Sequence, residues 1–158
     1  GEVFATDTTN ASRTLLFDIA RLRWDEGLCE LFEVTSTALP EVRESFAHFG
    51  ATDFGGILPR SIPICGVMGD SQASLFAQRC YASGDTKATF GTGTSVLVNI
   101  GDRLLMPEHG AVASLAWVHE GGKVYSQGEE TQKVHVYGRK WDLAPAGYQT
   151  VKNRITLW

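Results

Sequence analysis

The sequence predicts an α/β fold, on three observations. The short apolar run Ile64-Cys65-Gly66-Val67-Met68 fits a buried strand and stops at Gly69. From Asp70 the pattern turns helical, with Leu75, Phe76 and Cys80 on one face and small Ala73, Ser74 and Ala77 beside them. After a turn at Ser83-Gly84-Asp85, two strand candidates, Thr86–Phe90 and Ser95–Ile100, flank Gly91-Thr92-Gly93. A strand, a helix and a strand pair in this order mix both element types in one chain.

The remaining elements follow in order. Thr6-Asp7-Thr8-Thr9-Asn10 is rich in side-chain oxygens that accept from free N–H groups, so a helix is expected over Ala11–Phe17. Asp25 is expected to cap a short second helix, with Leu28, Leu31 and Phe32 on one face. Pro40 ends that region, and Glu41-Val42 begins an extended piece. Phe54-Gly55-Gly56 reads as a loop, and Pro59 and Pro63 keep the backbone after it extended. Gly101-Asp102 turns the chain, Ala111–Val118 is a third strand candidate, and Gly121-Gly122 turns toward Lys123-Val124-Tyr125.

Composition bounds the function. At 158 residues, with 43% hydrophobic and 20% charged residues, the chain belongs with globular rather than disordered proteins. A net charge of −4 argues against a general nucleic-acid binder. No apolar run reaches the roughly 20 residues of a membrane helix. The acidic start lacks the basic opening of a signal peptide, so a cytoplasmic location with reduced thiols at Cys29, Cys65 and Cys80 is expected. The charge is uneven. Residues 1–122 hold 8 Lys/Arg against 15 Asp/Glu, whereas residues 123–158 hold 6 against 3.

Two features could carry chemistry. Asp70 stands where a strand gives way to a helix. It reads either as a plain N-cap or as a general base, since ligands of α/β sheets bind beyond the strand ends. Gly91-Thr92-Gly93 reads either as an ordinary hairpin turn or as a phosphate cradle, in which glycines admit backbone N–H groups to an anion and the threonine adds a donor. It is not a Walker A loop, because no Gly-Lys-Ser/Thr follows. Ser71 lacks the Gly-x-Ser-x-Gly elbow of a hydrolase. His48, His109, His119 and His135 are scattered and read as surface or structural side chains.

Three blocks, in order, resemble the FGGY carbohydrate kinases, and the glycerol-kinase type in particular. They are Thr6-Asp7-Thr8-Thr9-Asn10-Ala11-Ser12-Arg13-Thr14-Leu15-Leu16-Phe17, then Ile62-Pro63-Ile64-Cys65-Gly66-Val67-Met68-Gly69-Asp70-Ser71-Gln72-Ala73, then Gly84-Asp85-Thr86-Lys87-Ala88-Thr89-Phe90-Gly91-Thr92-Gly93-Thr94. The resemblance implies a ribonuclease-H-like, actin-like ATPase fold, with this chain a fragment spanning the junction of the two domains. Residues 1–80 would be the end of the N-terminal domain and 85–124 the start of the C-terminal domain. It further implies ATP and Mg2+ as cofactors, a polyol or sugar as acceptor, and no nucleic-acid or membrane partner. The full-length protein is expected to be a homo-oligomer.

By the same match Asp70 is the catalytic base and touches the acceptor, with Mg2+ held through water as a further role. Gly91, Thr92 and Gly93 contact ATP phosphates. Ser71 and Ser95 stand where glycerol kinases usually carry Gln and Phe, which points to a roomier, more polar pocket for a longer polyol or ketose. A non-catalytic, degenerate fragment acting as a binding module is the remaining alternative. The family pattern stops at Tyr125, where the charge also changes sign. A frameshift, an assembly error or a truncation would each produce this divergent tail over 125–158, as would a genuine insertion. The family's N-terminal phosphate hairpin and its adenine pocket have no counterpart here, so the isolated fragment is expected to be inactive.

Overall fold

The computed structural model describes residues 3–90, 94–106 and 111–131. The first strand, β1 (Ala5–Asp7), runs directly into a one-turn helix, α1 (Thr8–Ala11). This helix is shorter and earlier than the expected Ala11–Phe17. Asp7, not the residues after it, is the cap, and accepts from the N–H groups of Thr9 and Asn10. The helix then stops because its own hydroxyls compete for backbone acceptors: Ser12 Oγ donates to Thr9 O and Thr14 Oγ1 to Ala11 O. Leu15 takes a left-handed conformation, φ 65°. Phe17 instead enters β2 (Phe17–Asp18), which pairs antiparallel with β3 (Arg23–Trp24) and sets the Phe17 and Trp24 rings edge to face.

Asp25 caps α2 (Glu26–Leu31) as expected, accepting from Leu28 N at 2.8 Å. The packed side of α2 is the one that carries buried Cys29, however, while Leu28, Leu31 and Phe32 face outward. After a 3-10 turn over Ser36–Ala38, β4 (Glu41–Arg43) pairs parallel with β1. A loop then leads to β5 (Ala51–Thr52) and its antiparallel partner β6 (Ile62–Pro63).

The expected buried strand over Ile64–Met68 does not form. Ile64 and Cys65 are exposed, and only Ile62–Pro63 is strand. The segment is extended, as Pro59 and Pro63 require, but its backbone bonds go to a loop. Phe49 N donates to Ile64 O, Ile64 N to Gly50 O and Val67 N to Ser45 O. Apolar composition alone does not distinguish such an edge segment from a strand covered on both faces.

Next comes α3 (Asp70–Ala77), ended by Arg79 at φ 61°. Cys80 therefore lies past the helix, although it is buried like Leu75. Burial pushes the Cys80 thiol above its ordinary pKa; nearby Asp85 adds to this and Lys87 opposes it. All three cysteines are free thiols.

The rest is one antiparallel sheet, in the order β7-β8-β10-β9: β7 (Thr86–Phe90), β8 (Thr94–Gly101), β9 (Val112–His119) and β10 (Gly122–Thr131). The three expected strands are present within a residue or two. β10 continues beyond Tyr125, pairing Gln127 with Val98 and Gly128 with Leu97. Gly91-Thr92-Gly93 and the tail beyond residue 131 lie outside the described residues.

Two apolar clusters hold the pieces together. Leu115, Val118 and Tyr125 pack against Ala11 and Phe17, and Leu97, Ala116 and Trp117 against Leu75 and Cys80. The sheet is thereby covered by α1 on one cluster and α3 on the other, so the start of the chain and the helix carrying Asp70 are both referred to the same strands. Longer-range polar bonds add to this: Glu44 accepts from the backbone N–H groups of Glu120 and Gly121, and Lys123 Nζ donates to Ala20 O. Among the described residues no helix is long and apolar enough to cross a membrane.

Candidate active site

The site is built around a buried carboxylate that the sequence presents as one capping residue among several. Asp7 is fully buried and accepts five hydrogen bonds. Its Oδ2 takes Thr9 N at 2.9 Å, Thr9 Oγ1 at 2.8 Å and Ser45 Oγ at 2.6 Å. Its Oδ1 takes Asn10 N at 3.0 Å and Asn10 Nδ2 at 2.6 Å. A carboxylate has about four lone-pair sites, so this one is saturated. Thr9 Oγ1 in turn accepts from Gly69 N at 2.8 Å. The residue before α3 is thus tied to the turn after β1.

Gly69 lies close to side chains at this junction. A Cβ there would lie 2.7 Å from Gln72 Oε1 and 3.5 Å from the Thr9 hydroxyl. It is the N-cap of α3 and has no side chain to cap with. Asp70 is therefore not the cap, as one of its two readings held, but the first helical residue. Its Oδ1 accepts only from the adjacent Ser71 N, at 2.7 Å, and its side chain is exposed. The carboxylate reaches into a cleft of about 650 Å³, within the usual range for small-molecule sites.

Ser71 and Ser95 line the same cleft, with Asn10, Arg13 and Gln72. Ser71 comes from the first turn of α3 and Ser95 from β8, both half-buried. Met68 and Leu97 supply apolar wall, and Gly128 of β10 lies beside Leu97. A Cβ on Gly128 would come within 2.7 Å of Val96 O, so only glycine lets β10 lie this close to β8. The described structure thus brings Asp70, Ser71 and Ser95 together. Gly91, Thr92 and Gly93 fall outside it.

Sequence reasoning missed Asn10, Arg13 and Gln72 as cleft residues, and Asp7 and Thr9 as the residues behind them. The available signal was the crowding of Asp7, Thr8, Thr9 and Asn10, more oxygens than one short helix needs for its cap. Among the described residues no three His, Cys, Asp or Glu side chains converge as metal ligands. Asp70 is the one acidic side chain among the described residues lining the cleft.

Residues 1–77 match the N-terminal domain of the FGGY family of carbohydrate kinases. Glycerol kinase 1 of Thermotoga maritima is 52% identical over 118 residues, covering 75% of this chain and 24% of that protein. The glycerol kinase of Haloferax volcanii is 45% identical over 121 residues, 75% of this chain and 24% of its own length. The chain therefore spans about a quarter of the curated relatives it matches. Among solved structures, Plasmodium falciparum glycerol kinase with ADP superposes with a TM-score of 0.73 at 33% identity, over 80% of this chain and 26% of that one. Ligand-bound xylulose kinase from Lactobacillus acidophilus superposes with a TM-score of 0.69 at 17% identity, over 81% and 26%, a likeness of fold. The fold is the ribonuclease-H-like, actin-like ATPase fold of these kinases, and the chain belongs to the FGGY family of carbohydrate kinases.

Proposed function

We propose that this chain supplies the base and the acceptor wall of a site that transfers the γ-phosphoryl group of ATP to a hydroxyl of glycerol or a related polyol or sugar. The observation that carries the reading is a single exposed carboxylate, Asp70, sharing a cleft with the hydroxyls of Ser71 and Ser95. The acceptor oxygen bonds to the γ-phosphorus while the bond from phosphorus to the bridging oxygen of ADP breaks. The bonding pair leaves with ADP, and the acceptor proton goes to the Asp70 carboxylate. Because the Asp70 carboxylate accepts one local hydrogen bond, it retains free lone pairs for that proton. Ser71 and Ser95 orient the acceptor, and Gly91, Thr92 and Gly93 contact the phosphates.

A magnesium ion fits this donor set. Mg2+ is commonly held by one or two carboxylates, water and substrate phosphates, which asks of the protein no more than Asp70, directly or through water. When bound it offsets phosphate charge.

Phosphoryl transfer depends on aligning donor and acceptor, so walls from elsewhere in a full kinase are required. A chimera tests this. Residues 1–125 of this chain would replace the matching stretch of the Thermotoga maritima glycerol kinase. ATP-dependent phosphorylation of a polyol is expected from the chimera, and none from the purified 158-residue chain. An inactive, folded chimera would refute the role of the cleft, and turnover by the chain alone would refute the need for further walls.

The two serines favour a second reading of the acceptor. Both present a hydroxyl in place of a larger group, which leaves a wider and more polar pocket. The chimera is then expected to prefer four- to six-carbon polyols or ketoses over glycerol by about tenfold in kcat/KM, the scale of a modest change in pocket contacts. Ser71→Gln with Ser95→Phe is expected to return the preference to glycerol. A chimera that prefers glycerol strongly without those changes eliminates the longer acceptor.

A further inference from the structure

We infer that Arg13 is a phosphate-binding residue of this cleft, and that it holds the phosphoryl group on the acceptor side, as the phosphate monoester product. The inference rests on the kinase reading for the identity of that anion.

Arg13 sits at a fixed point of the backbone. Its N–H donates to Asn10 O at 3.1 Å. Its neighbours are pinned by their own hydroxyls, Ser12 Oγ to Thr9 O and Thr14 Oγ1 to Ala11 O, each at 2.7 Å. The guanidinium is exposed to the cleft and has no hydrogen-bond or ion-pair partner among the described residues. Arg21 and Arg43, away from the cleft, are paired with Asp18 and Glu41.

Asp70, the one carboxylate lining the cleft among the described residues, is not within ion-pair distance of Arg13. Space therefore separates the Arg13 guanidinium, carried on a held backbone, from the proposed base. In the transfer step, the acceptor oxygen lies between the group that takes its proton and the phosphorus it attacks. A cation on the other side of that gap meets the phosphoryl oxygens, and the planar guanidinium fork suits two of them at once.

The side of the reaction follows from what Arg13 is tied to. Asn10, which donates two hydrogen bonds to Asp7, and Thr9, which accepts from Gly69 N, place the backbones of Arg13 and Asp70 in one hydrogen-bonded unit. Arg13 thus keeps its place relative to the base and the acceptor, and stays with the phosphoryl group once that group has left ADP.

The test is equilibrium titration of the chimera with the phosphate monoester of glycerol and, separately, with ADP, without turnover. Arg13→Met is expected to weaken product binding about tenfold or more, the scale of a lost charge-assisted hydrogen bond, and to leave ADP binding unchanged. Arg13→Lys is expected to recover part of the loss, and reports the same effect at smaller amplitude if Arg13→Met does not fold. Unchanged product binding overturns the inference. Weakened ADP binding with intact product binding overturns it too, by moving Arg13 to the donor side. Because no turnover is needed, the titration reports on Arg13 even if Asp70→Asn leaves activity intact and the kinase reading falls.

Discussion

Asp70→Asn in the chimera is expected to lower kcat by about 10²- to 10⁴-fold, the usual contribution of a positioned general base. The substitution keeps the shape of the side chain and removes its ability to take a proton. The N-terminus of α3 should survive, because Gly69 is the cap and the Asp70 side chain bonds only to Ser71 N. A thermal midpoint within a few degrees of the parent chimera would confirm that chemistry, not folding, was lost. The KM for the acceptor is expected to change far less than kcat, since proton transfer belongs to the transition state. A variant that retains more than about a tenth of the parent kcat would remove Asp70 from the role of base.

Asp7→Ala is expected to cost about 3–5 kcal/mol of folding stability, near the upper end for single substitutions. The estimate comes from what is left behind. Two backbone N–H groups, two hydroxyls and a carboxamide lose a common acceptor, and three of these donors, Thr9 N, Thr9 Oγ1 and Ser45 Oγ, are buried. Each stranded donor carries a desolvation cost of about 1–3 kcal/mol, and relaxation recovers part of the sum. Urea unfolding of the chain, with the chimera in parallel, measures the effect as a fall in midpoint at constant slope. A loss below about 1 kcal/mol would show that Asp7 caps a helix turn and nothing more. Thr9→Val removes the link to Gly69 together with one of the five bonds to Asp7. It should cost less stability than Asp7→Ala and yet reduce kcat, because it frees the start of α3.

The sequence was most legible where one local rule decides the structure. Asp25 before a short amphipathic run became the cap of α2, and the apolar runs before Gly101 and Gly121 became β8 and β9. It was least legible where two local preferences compete. The oxygens near Asp7 were read as caps for a longer helix, whereas Ser12 and Thr14 turn their hydroxyls on that helix's own carbonyls and end it. The run Ile64–Met68 has a strand's composition, but its partners are loop residues 45–50, and no periodicity encodes that. In the site, Asp70, Ser71 and Ser95 could be named because two lie within a block and the third directly follows one. Arg13 and Gln72 lie in the first and second blocks, but their reach into the cleft depends on bonds spanning tens of residues, such as Gly69 N to Thr9 Oγ1.

β10 carries a consequence for how much sequence change this fold absorbs. The strand runs past Tyr125 to Thr131, aligned between β8 and β9 as far as Gly128 and with β8 beyond it. A pairing ladder is made of main-chain N–H and C=O groups, which every residue but proline supplies in full. Beyond the buried Tyr125 and Ser126, the two flanking strands therefore hold β10 through its main chain, which asks for no proline and for glycine where β8 crowds it. Gly128 meets that steric condition. Along β10 beyond Ser126, a substitution is therefore tested first by the main chain and by the space at Gly128, and only then by its side chain.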